Sequence, residues 1–86
     1  MPLYYFDVID DGRSFSDECG IELEDQLEVR QQAQALLPHL ARERLPIEDR
    51  RDLSVIVRGS EGQHCYKATL TIRGEWMDSL TTPSPE

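Results

Sequence analysis

Aligned on Gly12, four residues near the start of the chain fall at the offsets of a calcium loop: Asp7 at position 1, Asp11 at 5, Gly12 at 6 and Glu18 at 12. Oxygen-bearing side chains at that spacing would hold a divalent cation. Position 3, however, is Ile9, which offers no oxygen, position 9 is Phe15, and the preceding residues read as strand rather than helix. Asp11-Gly12 is explained more simply as a tight turn, and no metal site is expected.

Cys19, Cys65, His39 and His64 are the softer candidates, but they form no C-x2-C or H-x3-H pair and so no zinc set. Cys65 adjoins His64, the pair a thiolate nucleophile needs, yet neighbouring strand residues point to opposite faces. The sequence holds no glycine-rich phosphate loop and no nucleophile elbow. Arg42, Arg44, Arg50 and Arg51 could gather an anion, but Glu43, Glu48 and Asp49 lie among them and favour a self-neutralising surface. Trp76 either caps the core edge or serves as an exposed contact anchor. With no catalytic, cofactor or metal residues assigned, the chain reads as non-enzymatic.

Charge is the stronger signal. The 86 residues carry a formal charge of −8, and residues 1–28 account for all of it, with nine acids against Arg13 alone. Residues 29–86 hold eight acids and eight bases and sum to zero. An acidic surface repels phosphate backbones, so nucleic acid is disfavoured and a basic protein partner or a cation is the fitting counterpart, beside the plainer reading of a solvated face that keeps a small protein soluble. The candidate partner-facing acids are Asp17, Glu18, Glu22 and Glu24.

The elements that must carry these residues follow from periodicity. Leu3 to Ile9 (LYYFDVI) alternates as a strand, with Tyr4, Phe6 and Val8 on one face and Leu3, Tyr5, Asp7 and Ile9 on the other. Asp11-Gly12 supplies the positive φ values of a type I′ turn, which leads to a short strand over Arg13 to Ser16. Residues 17–24 form a loop or irregular edge. Asp25 and Glu28 then fit an N-cap with its reciprocal acid, opening a helix from about Gln26 to Arg44. Its apolar stripe is Val29, Ala33, Leu36, Leu37 and Leu40. Pro38 either kinks that helix or splits it, and the unbroken phase of the stripe favours a kinked single helix.

Pro46 to Asp52 reads as a charged turn. Leu53 to Arg58 directs Leu53, Val55 and Val57 inward, residues 59–62 form a hairpin loop, and Cys65 to Arg73 directs Tyr66, Ala68, Leu70 and Ile72 to one side. The expected fold is α+β: an antiparallel ββαββ sheet, in the spatial order second, first, third, fourth, with one helix on one face. Residues 1–74 make a single domain and residues 75–86 a mostly disordered tail. The uncovered face mixes Lys67, Thr69, Thr71 and Arg73 with Leu3, Tyr5, Ile9 and Ile56, which leaves a homodimer open.

Leu, Ile, Val and Phe make up 21 residues, about 24%, enough for a small core. No apolar run approaches the roughly 18 residues of a membrane span, and the N-terminus lacks the basic start of a signal peptide, so a cytoplasmic protein is expected.

The opening Met1-Pro2-Leu3-Tyr4-Tyr5-Phe6-Asp7-Val8, followed by Asp11-Gly12, resembles a family of short bacterial proteins, mostly alphaproteobacterial, that form a domain of unknown function. The resemblance continues through Asp17-Glu18, Gly20, Glu22-Leu23 and Asp25, an amphipathic helix, and the pair Val55 and Val57 before Gly62. Cys19, where the family favours an acid, and Pro38 inside the helix depart from it. The family brings no established activity. Asp17 to Ala35 also bears a weaker likeness to HicB-type antitoxins, which bind a partner protein. The sequence thus points first to a small interaction or regulatory module with an acidic N-terminal surface. The second reading is a domain that responds to a small molecule or metal through the Asp7 to Glu18 loop.

Overall fold

A computed structural model describes residues 2–44 and 48–77. The elements run β1 (Leu3–Asp10), β2 (Arg13–Phe15), β3 (Ile21–Glu22), α1 (Gln26–Glu43), β4 (Arg50–Arg58) and β5 (His64–Arg73). All strand pairs are antiparallel, in the order β2-β1-β4-β5, with β3 also pairing β1. This is the expected α+β architecture and strand order, with β3 added on the same side of β1 as β2.

Local chemistry accounts for the elements. Asp11 and Gly12 both take positive φ, 51° and 90°, as a type I′ turn requires. The Asp25 side chain accepts the Glu28 N–H at 3.0 Å and caps α1. Pro38 lies within a single helix, on its exposed side. Period two then sets the sheet faces: Phe6 pairs with Val57, and Val57 with Tyr66, so even residues of β1 and β5 share a face with odd residues of β4. Val29, Ala33 and Leu37 of α1 cover that face and bury Phe6, Leu53, Val55 and Val57. The opposite face, with Tyr5, Asp7, Ile9, Ile56, Lys67 and Thr69, carries no helix among the described residues.

β5 starts one residue earlier than expected, at His64, β2 and α1 each end one residue earlier, at Phe15 and Glu43, and three further differences have a cause in the contacts. β4 begins at Arg50, not Leu53, because Arg51 continues the inward face and its guanidinium bonds to Asp10. Asp10 extends β1 for the same reason. Residues 21–22, expected as loop, form β3 because they exchange pairing with Leu3 and Tyr4. Residues 46–47 of the expected charged turn and 78–86 of the expected tail lie outside the described residues.

Two substitutions separate packing from backbone effects. Leu53→Ala removes a wholly buried side chain and should cost about 2–5 kcal/mol in urea unfolding. At Gly12 nothing lies within 4 Å of an added Cβ, so Gly12→Ala should cost only about 1 kcal/mol, from the positive φ alone.

Candidate functional site

The acidic first third of the chain folds along one edge of β1. β2 pairs with Val8 to Asp10 and β3 with Leu3 and Tyr4, which leaves a gap at Phe6. An unpaired N–H there would be costly, and the Asp17 carboxylate fills the gap by accepting the Phe6 N–H at 3.0 Å. The same carboxylate accepts the N–H groups of Cys19 and Gly20 at 3.0 and 3.3 Å and so folds the loop around itself. Gly20, at φ 79°, lets that loop lie on Leu3 and Tyr5, where a Cβ would come within 3.1 Å of both side chains.

A second clamp joins this loop to β4. Arg58 grips Asp7 through two bonds, Nε to Oδ2 at 2.6 Å and Nη2 to Oδ1 at 3.1 Å. Arg58 Nη2 also donates to the Asp17 carbonyl at 3.0 Å, and the Asp17 N–H donates to Asp7 Oδ1 at 2.9 Å. The guanidinium stacks 4.8 Å from the Tyr5 ring centre.

At the other end of β1, Asp10 is buried on the helix-covered face. Arg51 donates to both its oxygens, at 2.8 and 2.9 Å, and Arg44, at the C-cap of α1, donates at 3.1 Å. Arg44 also stands 5.1 Å over the Phe15 ring. Asp10 thereby ties the end of α1 to two strands. Sequence reasoning missed it, although its even position in β1 was the available signal.

These contacts set the acidity of three groups. The hydrogen bond from Arg58 holds the Asp7 carboxyl below its ordinary value, outweighing burial. The bond from Arg51 does the same for Asp10. Burial pushes the Asp17 carboxyl up, but the N–H groups of Phe6, Cys19 and Gly20 outweigh it and leave the group more acidic than usual.

The nine acids of residues 1–28 therefore divide. Asp7, Asp10 and Asp17 are held as described. Asp11 Oδ1 accepts the Asp52 N–H, Asp25 caps α1, and Glu28 Oε1 accepts the Glu24 N–H at 2.8 Å. Glu18, Glu22 and Glu24 are exposed, and among the described residues their carboxylates make no hydrogen bond or ion pair. Of the four candidate partner-facing acids, Asp17 is thus drawn inward. Glu22 and Glu24 meet Leu23, Glu28, Gln31 and Gln32 around a shallow depression of about 430 Å³. Glu18 stands on the loop that Asp17 folds.

The other reactive side chains stay apart. Cys19 and Cys65 are free and exposed, and Cys65 Sγ lies 3.6 Å from the Gln63 carbonyl. Among the described residues no three His, Cys, Asp or Glu side chains are placed to hold a metal ion. No helix among them is long and apolar enough to cross a membrane. Two of the four clustered arginines, Arg44 and Arg51, belong to Asp10, and Trp76 is 79% exposed rather than capping the core.

Fold and site together define a small α+β domain whose acidic edge is built on internal carboxylate clamps. The chain belongs to the family DUF6894, a domain of unknown function, whose model matches residues 3–71. No curated protein and no solved structure matches it.

Carboxyls more acidic in the folded than in the unfolded chain stabilise it above the unfolded value of about 3.9, and that contribution is lost as pH falls through the folded values. Stability should therefore hold near neutrality and fall once pH drops below about 4, with a shallower fall in Asp10→Asn, as urea midpoints across pH would record. Asp10→Ala should cost about 2–3 kcal/mol, less than the about 3–5 of a fully buried pair, because Arg44 and Arg51 keep some contact with water.

Proposed function

We propose that this domain is a non-enzymatic, cytoplasmic interaction module that takes a basic segment of a protein partner on its acidic N-terminal surface. The supporting observation is the division among its acids. Six are engaged in bonds that hold the fold, whereas Glu22 and Glu24 border one depression, Glu18 stands on the loop before β3, and none of the three carboxylates is bonded among the described residues. Leu23, set among Glu22, Glu24 and Glu28, offers apolar contact to the stem of an arriving lysine or arginine. Asp17 serves the same surface indirectly by ordering the loop that carries Glu18. Like-sign repulsion disfavours nucleic acid as the ligand.

The test is a titration with lysine- and arginine-rich peptides at several salt concentrations, because rim charges of this kind govern association and its salt dependence. Binding should weaken as salt rises, and Glu18→Lys/Glu22→Lys/Glu24→Lys should bind at least about tenfold more weakly while keeping the wild-type unfolding midpoint. Absence of binding at low salt, or equal binding by the variant, contradicts the proposal.

A further inference from the structure

The two edges of the sheet are built differently. On the β1 side, β2 has three residues and β3 two, and the Asp17 carboxylate closes the gap between them. Short, interrupted strands of this kind resist pairing with another chain. On the other side β5 runs ten residues, His64–Arg73, pairs among the described residues only with β4, and contains no proline, glycine or acid.

The backbone groups on that free edge can be assigned. The Phe6 N–H turns toward Asp17 and away from β4, so Tyr5, Asp7 and Ile9 are the residues that bond β4. The bond from the Asp11 N–H to the Asp52 carbonyl fits the same alternation. Val55 and Leu53 then turn toward β5, and their partners Ala68 and Leu70 bond β4. The Lys67, Thr69, Thr71 and Arg73 N–H and C=O groups are left facing outward.

We infer that this edge pairs with β5 of a second copy of the chain, antiparallel about a two-fold axis at Thr69. Thr69 then faces its own copy, Lys67 faces the partner's Thr71, and on the helix-covered face Tyr66 meets the partner's Ile72. Like charges stay apart, and Thr–Thr and aromatic–β-branched pairs are favourable across strands. The blunted β2/β3 edge cannot accept β5, so the assembly closes as a dimer rather than growing as a fibre.

Three of the exposed apolar side chains, Leu27, Trp76 and Met77, support the same occupant, whereas Phe15 and Ile21 lie on the β2/β3 edge. Leu27 is 51% exposed and, with Tyr4 and Tyr66, lines a cleft of about 410 Å³ where α1 meets the start of β5. Trp76 and Met77, 79% and 64% exposed, lie three and four residues past the end of β5. Antiparallel pairing brings the end of one β5 to the start of the other and so carries Trp76 to the partner's Leu27 cleft. The acidic depressions, on the opposite edge, then lie at the two ends of the dimer, so the pairing is independent of whether a basic partner binds there.

Sedimentation and fluorescence over a dilution series of the full chain test this. Thr71→Pro removes an outward N–H while sparing every bond to β4, a substitution edge strands tolerate. The wild type should sediment at twice its 9.9 kDa chain mass. The emission of Trp76, the one tryptophan, should shift to the red on dilution. Thr71→Pro should be a monomer with wild-type circular dichroism and red-shifted emission at every concentration. If that variant fails to fold, amide exchange in the wild type decides: Thr69 and Thr71 protected as well as Ala68 and Leu70 supports the pairing, and fast exchange at Thr69 and Thr71 overturns it. A wild-type monomer throughout the series, or a folded Thr71→Pro dimer, also overturns it.

Discussion

The bond from the Phe6 N–H to the Asp17 carboxylate decides how the first third of this chain is arranged. A strand with one unpaired amide in mid-edge must find an acceptor, give up the pairing around it, or bear the desolvation cost. Here a side chain stands in for the missing strand. It lets β2 and β3 share one side of β1 and turns the intervening residues into a loop folded on a single carboxylate. Asp7 and Arg58 then fasten that loop to β4, so edge, loop and central strand form one unit.

The same contacts change the meaning of the charge. In the sequence, −8 sits in residues 1–28 and the remainder is neutral. In space, Arg44, Arg51 and Arg58 come from the neutral remainder to meet Asp10 and Asp7. Burying those carboxylates unpaired would be prohibitive, whereas two-pronged arginine contacts satisfy their lone pairs. What remains outward is a smaller set, Glu18, Glu22 and Glu24. The acidic composition is thus partly a folding device and partly a surface.

Much of this was legible beforehand because it is local. The Asp11-Gly12 turn, the Asp25 cap, the 3.6-residue stripe of α1 and the alternation of β4 and β5 each depend on neighbours within a few positions. Strand order followed from antiparallel adjacency. The clamps were not legible: Asp7 and Arg58 lie 51 positions apart, and Asp10 and Arg51 lie 41 apart. Polar residues at strand ends resemble turns until a distant partner is known, which is why Arg50 to Asp52 read as loop. Asp17 read as a partner-facing acid because nothing in its neighbourhood announces a strand amide in need of an acceptor.

The central claim is that carboxylates in this segment either hold the fold or face outward, and unfolding free energies of two neutralised variants test it most directly. Glu18→Gln/Glu22→Gln/Glu24→Gln should stay within about 0.5 kcal/mol of the wild type in urea. Asp7→Asn/Asp17→Asn should lose about 2–4 kcal/mol, because it leaves the Phe6 amide and the Arg58 contacts poorly matched. Equal losses in the two variants, or a larger loss in the glutamate variant, would contradict the account.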